Sequence, residues 1–376
     1  MKKLRTLDLF SGCGGMALGL RSFTDIVAYC EKDADCVAVL KKNMQRGRLD
    51  EAPVVRDVCE FPSDLQDIDC ICASPPCQSV STFGLKEGLQ GETGLFLPTI
   101  AIINHYKPAI CFFENVDNIR HMTTVWQTVL KLLNDAGYNC QWAVVSASNA
   151  GALHRRGRWF LLAKLRSDEP FVLPYSTVNL QLNKPWNHKG YIFHKNSSEP
   201  CMPRLVKKGN TAIMKMCGNI CVPLQARMAF SLLSNSSVFT ITEPITSTDK
   251  MPQCGAFVNG HLYMAKHAQL LTPRTLQLVF NQKYYNSPKH KHFRQRHPVL
   301  SNDATYKLFS TPRVCNASWT PSNVLTQRSI RDLATQLRFE RKTKKHERLY
   351  RCINPDWLSW VSGLPKGYLI GQGVPI

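Results

Sequence analysis

A cysteine that follows two prolines is the residue of this sequence best placed to do chemistry. Cys77 comes after Pro75 and Pro76, and the short apolar segment at residues 69–73 is typical of a buried parallel strand. Proline fixes φ and restricts the residue before it, so the loop that presents the thiol should be stiff. Open α/β sheets bind ligands at the carboxyl ends of their strands, which makes Cys77 a candidate nucleophile. For this thiol alone, a buried packing role is the alternative interpretation.

Three acidic residues at predicted strand ends indicate a cofactor that carries a nucleoside. Asp8, Glu31 and Asp57 belong to the ends of the first three predicted strands. An acid about 20 residues beyond a glycine-rich turn, as Glu31 is, can hold the two hydroxyls of a ribose. The turn itself, Ser-Gly-Cys-Gly-Gly at residues 11–15, departs from the spacing of the dinucleotide fingerprint. A single carboxylate would be an ordinary helix cap or surface residue, but three in register favour a nucleoside site.

The elements that position these residues alternate between strand and helix up to residue 165. This alternation predicts the α/β class, with a doubly wound and mostly parallel sheet in one domain at residues 1–165. A glycine-rich polar segment at residues 84–94 is predicted to be a mobile lid. The predicted strands are residues 4–10, 26–30, 54–55, 69–73, 109–113, 139–147 and 159–165, and the predicted helices are residues 16–23, 33–45, 95–105 and 124–136.

After residue 165 the regular alternation ends. A helix over residues 217–233, opened by Gly218 and Asn219, is predicted to return to the first domain and to pack on the helix at residues 16–23. Short strand-like pieces among aromatic and basic residues then predict a second, smaller, irregular basic domain. The segments are a connection (166–212), the returning helix (213–234), the basic domain (235–353) and a closing segment (354–376).

The balance of charge predicts a polyanionic partner. The chain of 376 residues has 47 Lys and Arg against 27 Asp and Glu, a net charge of +20 and a pI near 9.4. Nucleic acid is the first partner that such a balance indicates. A membrane surface is less favoured, because the sequence shows no basic amphipathic helix, and general basicity without a binding role is the other alternative.

The fifteen cysteines predict a reducing, intracellular environment. Their number is odd, no pair has the C-x-x-C spacing, and no metal-ligand pattern is present. We therefore expect thiols rather than structural disulfides, and no bound metal. The N-terminus enters a strand without a signal peptide, and no apolar run reaches the ~18 residues of a membrane helix, so we expect a cytoplasmic or nuclear protein.

Together these residues resemble the family of S-adenosylmethionine-dependent DNA (cytosine-5) methyltransferases. The similarity lies in six motifs that follow the family's order across residues 1–165, which makes it specific. The matching residues are Asp8-Leu-Phe-Ser-Gly-Cys-Gly-Gly15 for the first motif, Glu31 and Asn43 for the second, Asp57 for the third, Pro75-Pro-Cys-Gln78 for the catalytic motif, Glu114-Asn-Val116 for the sixth, and Arg156-Gly-Arg158 for the eighth.

The resemblance implies a reaction in which Cys77 is the nucleophile. Cytosine C5 is itself a poor nucleophile, so the thiolate first adds to C6 and gives C5 the character of a carbanion. The resemblance assigns Glu114 to protonate or hydrogen-bond N3, and Arg158 to hold O2. It assigns Arg156 to the support of Glu114 or Cys77. Because this chemistry cannot happen inside a stacked duplex, the target base must be flipped out.

The same resemblance implies S-adenosylmethionine as the cofactor and double-stranded DNA as the substrate, with residues 235–353 as the target-recognition domain. We expect a monomer that acts as a stand-alone or restriction-modification enzyme. The residues that match the family's cofactor site are Asp8, Phe10, Gly12, Gly14, Glu31, Asp57, Pro75, Leu95, Asn219 and Val222.

Three features depart from the family's usual pattern. His154 stands where the family has Gln, and Arg56 stands where it has Gly. Residues 218–230 resemble the family's last motif but precede the recognition region, whereas residues 354–365 resemble its ninth motif. This order, together with residues 329–340, is similar to enzymes of algae and their large DNA viruses.

Three other functions are alternatives. The tRNA-methylating branch of the family shares the catalytic motifs, but its Cys-Phe-Thr tripeptide is absent from this sequence. A catalytically dead DNA-binding paralogue is disfavoured by Cys77, Glu114 and Arg158, which are all present. A nicotinamide-dependent dehydrogenase is disfavoured by the spacing of the glycines and by the lack of a catalytic His or Tyr pattern.

Overall fold

The computed structural model describes residues 2–76, 96–150, 152, 154, 156–166, 205–206, 211–235, 239–245, 251–267, 277–278, 307–308 and 352–369. The predictions made for Cys77, Leu95 and the lid at residues 84–94 lie outside this part of the chain. The chain divides into two compact units. The first comprises Met1–Ser146, Gly157–Leu180 and Cys221–Leu271, and the second comprises Ala147–Arg156, Gln181–Ile220 and Thr272–Ile376.

Strands and helices alternate along the first part of the chain, as a doubly wound fold requires. The strands are β1 Leu4–Leu9, β2 Thr24–Cys30, β3 Val54–Val55, β4 Cys70–Ala73, β5 Ile110–Val116, β6 Tyr138–Ser146, β7 Gly157–Leu165, β8 Leu205–Val206, β9 Phe239–Pro244, β10 Cys254–Val258, β11 His261–His267, β12 Gln277–Leu278, β13 Lys307–Leu308 and β14 Cys352–Ile353. The helices are α1 Gly15–Leu20, α2 Ala34–Gln45, α3 Phe96–Tyr106, α4 Thr123–Asp135, α5 Thr211–Asn219, α6 Pro223–Ser234 and α7 Pro355–Val361. Within the described ranges, none of these helices combines the length and the apolar character that a membrane span needs.

The first unit is built on a ten-stranded mixed sheet with the strand order β3-β2-β1-β4-β5-β7-β6-β10-β11-β9. The first five strands in this spatial order, β3, β2, β1, β4 and β5, are parallel to one another. Each strand after β5 in the order is antiparallel to its neighbour. The winding reverses between β1 and β4, and doubly wound sheets bind their ligands at such a switch point. The predicted fold class is confirmed, with the parallel pairing confined to one half of the sheet.

Helices cover both faces of this sheet, and neighbouring residues of β5 show the two faces. Phe113 packs against Phe96 of α3, with ring centroids 6.3 Å apart. The preceding residue, Phe112, packs against Phe230 of α6 at 5.1 Å. Since successive side chains of a strand point to opposite faces, α3 and α6 lie on opposite sides of the sheet. All four residues of β4 are buried, as expected for a central parallel strand.

The first unit extends further along the chain than the predicted boundary at residue 235. Strand β10 pairs with β6 in antiparallel register, and β11 and β9 continue the sheet beyond it. The indole of Trp142 donates to the carbonyl oxygen of Pro252 at 3.0 Å and strengthens this join. The physical reason is that β6 would otherwise present a row of unpaired peptide groups at a sheet edge.

The predicted single helix over residues 217–233 is wrong in one respect, because the segment forms two helices. Gly218 and Asn219 end α5 rather than open a helix, and α6 begins at Pro223 with Val222 as its N-cap. Proline restricts the preceding residue to extended backbone, and Val222 has φ −69° and ψ 120°. The expected packing of the returning helix on the first helix is confirmed, since α6 lies directly against α1.

The second unit joins the closing segment to α5. Strand β14 pairs with β8 in antiparallel register, and α7 packs against α5. The closing segment buries Trp357 and Trp360, whose ring centroids are 6.3 Å apart. Burial raises the pKa of the Cys217 thiol in α5 to about 12, so this thiol is a packing residue.

The contact between α1 and α6 depends on a glycine and gives the first prediction. A Cβ atom at Gly19 would lie 2.2 Å from the carbonyl oxygen of Pro223, which is backbone and cannot rotate away. Alanine favours a helix over glycine by up to about 1 kcal/mol. Gly19→Ala should nevertheless destabilise the protein by about 1–3 kcal/mol, because α6 must shift from α1.

The thermal unfolding midpoint measures this effect. Gly157→Ala is the control, because its added methyl group would lie in ordinary contact, 3.9 Å from Val144 Cγ1. Equal midpoints for the Gly19→Ala variant and the wild type would contradict the observed packing.

Candidate active site

The end of β1 carries a buried carboxyl group next to the glycine turn. Asp8 is 2% exposed, and its Oδ2 atom has no hydrogen-bond partner within the described residues. The Ser11 hydroxyl donates to the backbone carbonyl oxygen of Asp8 at 2.5 Å and closes the turn. Burial raises the pKa of the Asp8 carboxyl to about 7, a hydrogen bond from Ser11 opposes this, and the charge of Glu31 adds to it. A carboxyl group in this state suits a ligand that brings a positive charge.

The carboxylate of Glu31 connects the glycine turn to helix α2. Its Oε2 atom accepts a hydrogen bond from the backbone N–H of Gly12 at 2.7 Å, and its Oε1 atom accepts one from Asp33 at 2.7 Å. Asp33 in turn caps α2, because its side chain accepts from the N–H groups of Asp35 and Cys36. Glu31 is therefore held in one orientation at the end of β2, where the sequence predicted a ribose-binding acid.

Asp57 caps a short helical turn, which is the alternative role for each of the three acids. Its Oδ1 atom accepts from the N–H of Cys59 at 3.0 Å at the start of a short 3-10 turn, Val58–Glu60. Lys32 Nζ lies 3.8 Å from its other oxygen. These contacts, the Cys59 hydrogen bond first, lower the pKa of the Asp57 carboxyl. Arg56, which departs from the family's glycine, donates to the carbonyl oxygen of Lys32.

Other residues of the predicted cofactor site lie around the same turn. Phe10, Gly12 and Gly14 all have left-handed backbone, with φ of 55°, 54° and 78°. Phe10 is a non-glycine residue in this region, which is a costly conformation that the turn imposes. Val222 is buried at the N-cap of α6, which packs on α1 directly after the turn.

A buried ion pair joins β5 to β7. The strand extends to Val116, beyond the predicted end at residue 113, so Glu114 lies within it. Arg158 Nε is 2.9 Å from Glu114 Oε1, and both side chains are largely buried, at 15% and 8% exposure. The antiparallel register pairs Val116 with Arg158 and thereby brings the guanidinium group beside the carboxylate. An arginine–carboxylate hydrogen bond of this kind fixes the orientation of both groups.

Asn115 is a site residue to which the sequence analysis assigned no role. Its Nδ2 atom donates to the carbonyl oxygen of Pro75 at 3.2 Å, and its Oδ1 atom accepts from the N–H of Val116 at 2.8 Å. The amide therefore ties β5 to the backbone two residues before Cys77. In the sequence, Asn115 stands directly after Glu114, at the predicted end of a strand beside the site. A buried amide at such a position must form its hydrogen bonds with neighbouring groups, and this could have indicated its role.

The second unit holds two further predicted site residues, Arg156 and Asn219. Arg156 Nη2 donates to the carbonyl oxygens of Gly218 at 3.0 Å and Ile220 at 2.6 Å, on either side of Asn219. His154 Nε2 and the carbonyl oxygen of Val361 are 3.0 Å apart. The salt bridge to Glu114 belongs to Arg158, and the support of Glu114 or Cys77 by Arg156 stays a prediction. The cofactor role of Asn219 also stays a prediction.

Fold and geometry define a class of enzyme. A doubly wound sheet carries acids at its strand ends beside the switch point, and a glutamate–arginine pair joins β7 to β5, the strand that anchors Pro75. These features are typical of α/β enzymes, which bind their ligands at the switch point of the sheet.

The comparison with known families identifies the particular one. A family model described as C-5 cytosine-specific DNA methylase matches residues 4–373. The chain therefore belongs to this family and is a DNA (cytosine-5) methyltransferase, as its motifs indicated.

Relatives of known name include type II methyltransferases. The chain is similar to M.CviJI of Paramecium bursaria Chlorella virus IL3A, with 29% identity over 97% of this chain and 97% of that protein. It is also similar to M.HindV of Haemophilus influenzae, with 29% identity over 50% of this chain and 62% of that protein. A match to the solved structure of S. pombe Dnmt2 methyltransferase has a TM-score of 0.36 and 24% identity, covering 45% of this chain and 52% of that one. The first relative agrees with the expected similarity to enzymes of large algal viruses.

The buried state of Asp8 predicts a specific dependence of stability on pH. An acid whose pKa is higher in the folded chain binds more protons there than in the unfolded chain, so stability falls as pH rises between the two values. For Asp8, with an ordinary value of 3.8 and a folded value of about 7, the loss falls between these values and levels off above them. At about 1.4 kcal/mol per pKa unit, it should reach a few kcal/mol.

Urea unfolding of the wild type and of Asp8→Asn measures this loss. The unfolding curves are recorded at pH values from about 4.5 to about 8, in steps of about one unit. The difference in unfolding free energy between the two proteins should change up to about pH 7, the pKa of Asp8 in the folded chain, and be constant above that value. Parallel pH curves would show that Asp8 does not titrate as its burial predicts.

Proposed function

We propose that this chain methylates C5 of a cytosine flipped out of double-stranded DNA, with S-adenosylmethionine as the methyl donor. The observation that carries the proposal is the arrangement at β5. Glu114 is held by Arg158, while the next residue, Asn115, holds the backbone of Pro75 just before Cys77. One strand thus sets both the carboxylate and the start of the loop that bears the proposed nucleophile.

The proposed chemistry begins with the thiolate of Cys77. It adds to C6 of the cytosine, and negative charge develops on the ring toward C5, N3 and O2. Glu114 protonates or hydrogen-bonds N3, which lowers the barrier to this addition. S-adenosylmethionine, when bound, supplies an electrophilic methyl group. Once C5 carries the methyl group, loss of the C5 proton and departure of Cys77 from C6 restore the ring.

Arg158 has two tasks in this proposal. Its Nε atom orients the Glu114 carboxylate, from 2.9 Å. A guanidinium group has further N–H donors in a fixed plane, and one of these would hold O2 of the base as charge develops there. The role proposed for Arg156 is to support Glu114 or Cys77.

The residues at the end of β1 fit the proposed cofactor. The unpartnered Oδ2 atom of buried Asp8 suits the cationic methionine end, since a nearby positive charge stabilises the ionised carboxylate. A carboxylate has several acceptor positions, so Glu31 can take ribose hydroxyls while it keeps its two backbone donors. The residues proposed to hold the cofactor are Asp8, Phe10, Gly12, Gly14, Glu31, Asp57, Pro75, Leu95, Asn219 and Val222.

The proposed substrate is supported by charge. A net charge of +20 favours the phosphate backbone of DNA, and residues 235–353 are the proposed target-recognition region. The similarity to type II methyltransferases supports a modification enzyme of the restriction-modification type. We propose that it acts as a monomer inside the cell, in the cytoplasm or the nucleus, where its thiols stay reduced.

A trapping experiment tests the proposed nucleophile. With S-adenosylmethionine, duplex DNA that contains 5-fluorocytosine should form a stable covalent adduct, because fluorine cannot leave C5 as a cation. Cys77→Ser should form no adduct and should lose methylation by several orders of magnitude, yet bind the duplex with similar affinity. Cys59→Ser, which removes an exposed thiol, is the matched control and should behave as the wild type. An adduct that persists in Cys77→Ser would overturn the assignment.

The proposed role of Glu114 separates chemistry from cofactor binding. Glu114→Gln keeps the shape of the side chain but removes its charge and its proton-transfer capacity. The rate of a single turnover should fall by about 10²–10⁴-fold, while the Kd for S-adenosylmethionine changes little. Glu51→Gln, at an exposed position, is the control. If the Kd rose sharply while the rate at saturation was kept, Glu114 would belong to the cofactor site instead.

A further inference from the structure

Two thiols meet beside the residues of the proposed cofactor site. The Sγ atoms of Cys13, in the glycine turn, and Cys36, in the first turn of α2, are 3.6 Å apart. Cys13 is 2% exposed, whereas Cys36 is partly exposed. A disulfide bond needs the two sulfurs about 2.05 Å apart, so they must approach by about 1.5 Å.

The backbone on the Cys13 side is the part that can move. Cys13 lies between Gly12 and Gly14, which have φ of 54° and 78°, and the space around a Cβ at Gly12 is open to 4 Å. Glycine accepts a wide range of backbone angles at low cost. Cys36 is fixed more firmly, because its N–H donates to the capping side chain of Asp33 at 3.1 Å. A disulfide would therefore draw the turn toward α2.

This movement would act on Glu31. The N–H of Gly12 donates to Glu31 Oε2 at 2.7 Å, and the N–H of Asp33 donates to Oε1 at 2.7 Å. The thiol pair thus spans the same junction, between the turn and α2, that the carboxylate spans. A shift of the turn by an ångström displaces Gly12 from Glu31, and both residues belong to the proposed cofactor site.

We propose that Cys13 and Cys36 are a reversible oxidation site, at which a low-molecular-weight disulfide forms a Cys13–Cys36 bond that weakens the binding of S-adenosylmethionine. The effect on binding rests on the proposed function of the turn as the cofactor site. The bond itself rests only on the contact between the two thiols. In a reducing environment the pair stays as two thiols and the enzyme is competent.

The oxidation is a pair of thiol–disulfide exchanges. The thiolate of the more exposed Cys36 attacks one sulfur of the oxidant, forms a mixed disulfide and releases one thiolate. The thiolate of Cys13 then attacks the Cys36 sulfur, forms the internal bond and releases the second thiolate. Two electrons pass from the cysteine pair to the oxidant, and the two protons of the thiols end on the two released thiolates.

The experiment uses the full chain with Cys77→Ser, so that oxidation of the proposed nucleophile cannot contribute. Glutathione disulfide is the oxidant, peptide mass mapping identifies the bond, and titration calorimetry gives the Kd for S-adenosylmethionine. Oxidation should produce a Cys13–Cys36 linked peptide and raise the Kd about tenfold, a coupling within the usual range. A thiol reductant should reverse both changes.

Two further variants are controls for the assignment of the bond to Cys13 and Cys36. Cys36→Ser in the same background should show neither the linked peptide nor the change in Kd, and should bind the cofactor as the reduced parent does. Cys59→Ser should show both effects, since it removes a thiol outside the pair. By reciprocity, saturating S-adenosylmethionine should lower the equilibrium ratio of disulfide to dithiol by the factor by which the disulfide weakens binding.

The outcomes are distinguishable. Absence of the linked peptide, while Cys59 becomes glutathionylated, would overturn the oxidation site. A linked peptide with an unchanged Kd would overturn its effect on the cofactor. If the reduced protein failed to bind S-adenosylmethionine, the proposed function would fall and the regulatory effect with it, whereas the mapped bond would still support the oxidation site.

Discussion

The buried pair of Glu114 and Arg158 is the interaction on which the proposed reaction site depends. Moving two charges out of water is costly, and a pair in this setting is tolerable only when its geometry is good and neither partner is lost. The 2.9 Å contact meets that condition because β7 lies antiparallel between β5 and β6. If β7 ran parallel to β5, the chain would not run back from Gly157 alongside Val116, so the register that pairs Val116 with Arg158 would be lost. The antiparallel pairing of β7 with β5 is therefore a requirement of this ion pair.

A second constraint is the close approach of α1 and α6, which come from distant parts of the sequence. Gly19 leaves no side chain between α1 and the backbone of Pro223. Two turns further along α6, Phe230 packs on Phe23 at 5.3 Å and on Phe112 at 5.1 Å. The helix thus bridges the segment after the glycine turn to the centre of the sheet. Through α1, the position of the turn depends on residues that follow it by about 200 positions, a long-range contact of the kind that local propensity does not encode.

The sequence predicted the parts of this structure that local physics determines. Strands β1 to β7 and the helices between them follow from apolar periodicity and from their turn residues, and the predicted places of Asp8 and Glu31 at the ends of β1 and β2 follow from the same pattern. The break before α6 was also present in the sequence, since Pro223 prevents Val222 from being helical. The interpretation of Gly218 and Asn219 as a helix start overlooked that proline.

Other features could not be predicted because they are tertiary. The pairing of β10 with β6 joins residues more than a hundred positions apart, and a short strand carries no local signal of its partner. The assignment of Arg158 to the salt bridge needed the β5–β7 register, because the motif alone does not show which of Arg156 and Arg158 contacts Glu114. The contact of Cys13 with Cys36 likewise depends on how the turn lies against α2.

Among the described residues of the first unit, Asp8 and Glu114 carry the buried carboxyl groups, and their surroundings give them different roles in the proposed site. Glu114 has its positive partner within the chain, so its geometry is set before any substrate arrives. Asp8 lies near the negative charge of Glu31, and burial raises the pKa of its carboxyl to about 7. A ligand with a positive charge would relieve Asp8, whereas it would compete with Arg158 at Glu114. The first environment therefore favours a cationic cofactor at β1, and the second favours a neutral base at β5.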